Sequence, residues 1–113
     1  MSVGQISYVT ATGSTDNSGA ITDIFTPATG TQYIVLSLIS SFSTANTGML
    51  STTLTSASPS ETITILAQPY ANNSGNASIT TKFMIDDNIT IGISATANES
   101  LTYNLYITMI QIA

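Results

Sequence analysis

The sequence predicts an all-β domain, an antiparallel β-sandwich of about eight strands with jelly-roll or immunoglobulin-like topology. Three observations carry this prediction. Short runs of Ile, Leu and Val alternate with hydroxyl side chains (20 Thr and 16 Ser in 113 residues), so each segment has a dry and a wet face. Clusters of Gly, Pro, Asn, Asp and Ser divide these segments at the roughly 8–12-residue spacing of sandwich or barrel strands. Ile, Val and Thr, which suit a pleated half-buried surface, dominate the chain, and no segment reads as a helix.

Residues 5–12 are the first predicted strand, closed by the turn cluster Thr12-Gly13-Ser14-Thr15-Asp16-Asn17-Ser18-Gly19. Residues 20–26 follow, with Ile21, Asp23 and Phe25 on one side, until Pro27 and Gly30 break the chain. The strongest segment is 32–43. There Ile34, Leu36, Leu38 and Phe42 share a face in period two, while Tyr33, Val35 and Ile39 make the opposite face apolar as well. Such a strand is expected at the centre of a sheet or covered on both sides.

Thr44-Ala45-Asn46-Thr47-Gly48 reads as a hairpin connection into residues 49–56, where Leu50 and Leu54 share a face. After Ser58-Pro59-Ser60, residues 61–68 place Ile63, Ile65 and Ala67 inward and Thr62 and Thr64 outward. Residues 69–76 are the longest predicted loop, and Asn72-Asn73-Ser74-Gly75-Asn76 favours turns with positive φ. Residues 77–85 put Ile79, Phe83 and Ile85 on one face and Lys82 on the other. A tight Asp86-Asp87 turn leads into 88–95, where Ile89, Ile91 and Ile93 alternate with Thr90, Gly92 and Ser94. The turn Asn98-Glu99-Ser100 precedes the last strand, 101–112, with Leu101, Tyr103, Leu105, Ile107 and Met109 on one face. No constant period repeats along the chain, which argues against a solenoid.

At 11.7 kDa the chain fits one domain with a single core. Residues 1–25 are expected to form an N-terminal arm and the first strands, and 26–113 the sandwich body.

Charge narrows the function classes. Charged residues are 6% of the chain against roughly 25% in ordinary domains, and Lys82 is the lone cation at a net charge of -5. One Lys neutralises no run of phosphates, so no nucleic-acid partner is expected, and an anionic membrane surface is disfavoured alike. The apolar stretch 34–39, interrupted by Ser37, is too short to span a bilayer. Met1-Ser2-Val3-Gly4 has neither the basic nor the apolar region of a signal peptide. Absence of Cys removes disulfides, thiol chemistry and Cys-based zinc sites. So few charges leave strand edges with little protection against association, which points to life inside an assembly.

Candidate chemistry is sparse. Asp86, Asp87 and Asn88 are consecutive oxygen donors with Glu99 as a conceivable fourth, but the spacing of a calcium loop is absent, and a turn that satisfies its own backbone is the favoured reading. Paired acids for glycoside hydrolysis would need two carboxyls gathered in a cleft, and the six acids lie at turns and strand edges. A Ser nucleophile would need Lys82 as base, since His is absent, yet Lys82 alternates away from the core. No enzyme, metal or cofactor is therefore expected.

Four sequons begin at Asn72, Asn76, Asn88 and Asn98, a number that chance supplies in a chain so rich in Asn and hydroxyls. The pairs Thr10/Thr12, Thr53/Thr55 and Thr62/Thr64 resemble the Thr arrays of ice-binding proteins but lack a repeat to stack them in register. Tyr8, Tyr33, Tyr70, Tyr103 and Tyr106 are scattered through different segments, and core or interface packing is favoured over a sugar platform.

One stretch carries a resemblance. Tyr33-Ile34-Val35-Leu36-Ser37-Leu38 after a Thr/Pro/Ala lead-in, the Thr-alternating residues 50–55, residues 79–85, the acidic turn Asp86-Asp87, Asn88-Ile89-Thr90-Ile91-Gly92-Ile93 and the closing strand 101–112 follow in order. Over residues 26–113 this succession resembles small β-sandwich structural proteins of tailed bacteriophage virions. The resemblance implies a non-enzymatic virion protein, foremost a capsid decoration or cement protein that bridges capsid subunits, with a neck, tail or fibre component as the alternative. A carbohydrate-binding or adhesin module is the further alternative. It also implies the major capsid protein or other virion proteins as partners, and a homo-oligomer, a trimer foremost. The expected interface residues are Val3, Ile6 and Tyr8 on an arm reaching a neighbouring subunit, and Tyr33, Val35 and Ile39 as a second apolar face.

Overall fold

A computed structural model describes the backbone of residues 3–15, 18–43, 48–70, 74–79, 82–95 and 102–113, and their side chains except at 42–43, 48–49, 66–70 and 74–79. Nine strand segments follow in chain order: β1 (Ile6–Ser14), β2 (Thr22–Phe25), β3 (Gln32–Ser43), β4 (Gly48–Ser56), β5 (Glu61–Tyr70), β6 (Ser74–Ile79), β7 (Phe83–Asp86), β8 (Ile89–Ala95) and β9 (Thr102–Gln111). No helix occurs among the described residues, and thus none long and apolar enough to cross a membrane.

Two antiparallel sheets stack. One has the order β1-β9-β3-β6, with β7 also paired to β3, and the other the order β2-β8-β4-β5. β6 and β7 share one edge of β3, the first opposite Leu38 through Ser43 and the second opposite Gln32 through Val35. They occupy a single strand position, so the sandwich has eight. Apart from β4 and β5, no hydrogen-bonded neighbours are consecutive in sequence. Immunoglobulin-like sandwiches are rich in consecutive pairs, whereas this chain passes from sheet to sheet at most connections. The topology is a jelly roll.

The core follows from the inward faces. Tyr33, Val35, Leu38, Ile85, Ile91, Leu105, Ile107 and Met109 form one buried cluster. Leu50, Ile93, Ala95 and Tyr103 form a second, and Ala11 and Ile24 touch both. Each of the larger side chains contributes roughly 1.5–3 kcal/mol through burial. Gly13 sits directly across from Tyr103 in the β1–β9 ladder, and a Cβ there would lie 3.0 Å from the tyrosine hydroxyl oxygen. That glycine leaves room for the buried ring.

Strand phase departs from the sequence reading at three bulges. In β3 the pairing to β9 slips between Val35 and Ser37. Tyr33 and Val35 are therefore buried ahead of the slip, and Leu38 and Ser40 after it. The expected single face of Ile34, Leu36, Leu38 and Phe42 is split, because one extra residue turns every preceding side chain over. In β2 a slip between Asp23 and Phe25 sends Asp23 outward, while Ile24 and Phe25 pack on the core, so Ile21, Asp23 and Phe25 do not share a face. A third slip lies between Thr52 and Thr53 of β4 in its pairing with β5; on that edge strand Ile65 packs against the core, while Ile63, opposite Leu54, is exposed.

Two connections also differ. β3 and β4 lie in different sheets and are not hairpin partners, and residues 44–47 of the expected connection lie outside the described residues. The long loop expected over 69–76 shrinks, since β5 runs to Tyr70 and β6 begins at Ser74. Within residues 1–25, the first strands are β1 and β2, which fill two strand positions of the sandwich.

Candidate interaction face

The outer face of the β1-β9-β3-β7 sheet gathers five of the exposed large hydrophobic side chains of the described residues, Ile6, Tyr8, Ile39, Met84 and Tyr106. Side chains paired across strands share a face, and the registers place Ile6 beside Ile110, Ile110 beside Ile34, and Ile34 beside Met84. One apolar row thus crosses four strands on the side turned away from the core. Further along, Thr10 pairs with Tyr106 and Tyr106 with Ile39. Tyr8 stacks on Tyr106 with ring centroids 5.5 Å apart and planes 16° from parallel. This is the diagonal cross-strand contact that aromatic side chains reach in an antiparallel pair. Ile6 and Tyr8 are each 64% exposed, Met84 57%, Ile39 47% and Tyr106 41%.

Among the described residues this face carries one acid, Asp86 at the end of β7, opposite Gln32 and two residues from Met84. Lys82 stands just ahead of β7, Asp23 and Glu61 are on the other sheet, and Asp87 is at a turn. Beyond the aliphatic row the face becomes hydroxylic. A shallow depression of about 290 Å³ opens beside Tyr106, walled by Thr10, Thr12, Ile39, Ser41 and Asn104. Its floor is the sheet itself at Ala11 and Leu105.

Of the six expected interface residues, the structure brings Ile6, Tyr8 and Ile39 onto this face, and Val3 is exposed just ahead of it. Tyr33 and Val35 are corrected: they are buried at 6% and 0% exposure, turned inward by the bulge in β3. The arm is corrected in part. From Ile6 onward the segment is ladder-bonded to β9, and the Gly4 N–H donates to the Gln111 carbonyl at 2.7 Å. Ile34, Met84, Tyr106 and Ile110 belong to the face and were not expected there. Only the apolarity of both sides of residues 32–43 hinted at it.

The acidic turn spends its side chains on backbone. The Asn88 N–H donates to Asp86 Oδ1 at 2.9 Å, and the Gly30 N–H donates to Asp87 Oδ2 at 2.8 Å. Asn88 Oδ1 accepts from the Ser58 N–H, and its Nδ2 donates to Ser56 Oγ and to the Ser58 carbonyl. Three turns at one end of the sandwich are thereby joined, and Asn88 has its amide committed. Glu99 and the sequons beginning at Asn72 and Asn98 lie outside the described residues, as does the side chain of Asn76. Lys82 is exposed, as the alternation predicts. Among the Thr pairs, Thr10 and Thr12 are exposed on the outer face and Thr62 and Thr64 on β5, while Thr53 is buried.

No family model matches the chain, and no curated protein matches it. Among solved structures, it is similar to Eiger TNF from S. frugiperda, at 14% identity and a TM-score of 0.52 over 96% of this chain and 92% of that one. It is also similar to the CBM22-1 and GH10 modules of Clostridium thermocellum endo-1,4-β-D-xylanase 10B, complexed with xylohexaose. That match has 14% identity and a TM-score of 0.47, over 91% of this chain and 26% of that one. A third is the virus-like particle of the Macrobrachium rosenbergii extra small virus, at 11% identity and a TM-score of 0.41 over 100% of this chain and 83% of that one. The likeness to Eiger TNF is one of fold and agrees with the jelly-roll strand order.

Proposed function

We propose that this chain is a non-enzymatic structural protein of a virion, foremost a capsid decoration protein that holds capsid subunits together. The observation that carries the proposal is the apolar outer face of the β1-β9-β3-β7 sheet, presented by a chain with one cation and with Asp86 as the single acid on that surface among the described residues. Contiguous exposed apolar surface of this kind marks an interaction site rather than a solvated wall. A rigid sandwich that buries such a face against shell subunits must be peeled away before the shell can rupture. The pattern shared with small tailed-phage sandwich proteins over residues 26–113 supports the virion setting. Neck, tail or fibre placement is the variant of the same reading, with other virion proteins as partners.

Copy number in purified particles tests it. Hundreds of copies per particle support capsid decoration, a dozen or fewer put the chain on the neck or tail, and absence from particles sinks the proposal. One feature favours a second reading, a glycan-binding module: the depression beside Tyr106 combines an aromatic wall with Thr10, Thr12, Ser41 and Asn104. A soluble oligosaccharide whose binding is lost in Tyr106→Ala would select that reading.

A further inference from the structure

We infer that Tyr8 and Tyr106 form an oxidative cross-linking site, at which a one-electron oxidant of the peroxidase class joins the two rings into dityrosine and ties β1 to β9 within one chain. Coupling takes place on the chain before partners cover that face, so it stands apart from the virion reading. Geometry and selectivity carry the inference.

Tyr8 stands opposite Thr108 and Tyr106 opposite Thr10, so the two rings meet diagonally across the β1–β9 ladder. Their centroids are 5.5 Å apart and their planes 16° from parallel. Both side chains lie on the outer face, at 64% and 41% exposure, where an oxidant in solvent reaches them. Groups held together in one geometry react far faster than groups that must first meet.

The rest of the chain offers little competition. It has no Trp, Cys or His, so phenols are its readiest one-electron donors. Tyr33 and Tyr103 are buried at 6% and 5% exposure, and the side chain of Tyr70 lies outside the described residues. Met84 is exposed on the same face, but peroxide converts it to the sulfoxide, which gains an oxygen and forms no link.

In the coupling, each phenol gives up one electron and its hydroxyl proton and becomes a phenoxyl radical. The unpaired spin lies partly on the ring carbons beside the oxygen, and one such carbon from each ring makes the new C–C bond. The hydrogens on those carbons then pass to the oxygens, which restores both phenols. Overall the chain loses two hydrogen atoms, as two protons and two electrons, and these reduce one hydrogen peroxide to two waters. The bond pins β1, the outermost strand of its sheet, to its neighbour. It also closes a loop of almost the whole chain, the kind of link that most restricts an unfolded polypeptide. A chain without Cys has no disulfide to serve that purpose.

The test is treatment of the dilute full chain with a haem peroxidase and hydrogen peroxide, followed by intact mass, dityrosine fluorescence and peptide mapping. The single-chain species should lose the mass of two hydrogens, fluoresce as dityrosine, and yield a joined peptide pair carrying Tyr8 and Tyr106. Tyr8→Phe and Tyr106→Phe, which keep the ring and drop the phenol, should each lose this product, while Tyr33→Phe keeps it. In concentrated urea, where no ladder holds the rings together, the yield should fall roughly tenfold or more. The thermal midpoint of the coupled wild type should lie above that of Tyr106→Phe treated alike. If a variant fails to fold, the junction mapped in the wild type decides alone. Dityrosine found only between chains, a junction at other tyrosines, or undiminished coupling in urea or in either of the two Phe variants would each overturn the inference. So would oxygen uptake without coupling, or a midpoint that does not rise.

Discussion

Two threonines show what hydroxyl-rich strands cost at the level of single residues. Thr52 and Thr53 are buried at 1% and 3% exposure, and neither Oγ1 has a hydrogen-bond partner. Thr52 sits on the inward side of β4, level with buried Ile93. Thr53 lies outward beside Gly92, where a Cβ would fall 2.5 Å from Ile21 Cγ2 and 3.2 Å from Thr53 Oγ1. A buried hydroxyl without a partner costs about 1–3 kcal/mol, and valine has nearly the same shape. Thr52→Val should therefore stabilise the fold by about 1 kcal/mol, read as a higher urea midpoint at unchanged slope. A lower midpoint would mean that the hydroxyl is bonded. Asn88 is the opposite case, since three hydrogen bonds from one amide tie the β7–β8 turn to the β4–β5 turn. Asn88→Ala should cost about 1–2 kcal/mol by the same measurement, because the turn groups it releases can partly rebind water. Its Asp86 neighbour would keep its bond to the residue 88 N–H.

At the level of elements, strand existence was legible. Strand phase was legible in β8 and β9, where Ile91, Ile93, Tyr103, Leu105, Ile107 and Met109 are buried as expected, but not where a bulge intervenes. β3 was bounded in sequence at the residues where it begins and ends, and β9 lies within one residue of its expected limits, because turn residues and period-two alternation are local properties. A bulge leaves no comparable mark. In 32–43 both faces are apolar, so nothing in composition distinguishes Tyr33 and Val35 facing in from Ile34 and Leu36 facing in. Pairing with β9 and β7 decides, and pairing is long-range. The candidate face was hidden for the same reason. Tyr8 and Tyr106 are almost the length of the chain apart, and only the β1–β9 ladder stacks them. Phase can be measured directly. Val35→Ala should cost about 1–3 kcal/mol of fold stability, since it hollows a fully buried site. Ile34→Thr should cost less than about 1 kcal/mol, because its side chain lies on the outer face. Equal losses in the two denaturation curves would show that the bulge is misplaced.

On the scale of the whole molecule, the chain combines a low charge density with a uniform sign, and this sets how its associations answer to salt. Contacts made through opposite charges weaken as ionic strength rises, because screening shortens the Debye length from about 30 Å at 0.01 M to about 10 Å at 0.1 M. Here the exposed apolar face of the β1-β9-β3-β7 sheet carries one acid among the described residues, Asp86, while the chain as a whole brings -5 to any contact between copies. Screening then removes only repulsion, and the apolar contribution is little changed at moderate sodium chloride. Sulfate, excluded from protein surfaces, strengthens apolar burial further. The dissociation constant for self-association should therefore fall between about 0.01 and 0.3 M sodium chloride, and fall again when sulfate replaces chloride at equal ionic strength. Sedimentation equilibrium across that series reads the result directly. A dissociation constant that rises with salt would mean that charged groups make the contact. Lys82, the lone cation, would then be the residue to examine, and Lys82→Gln would have to abolish association for that explanation to hold.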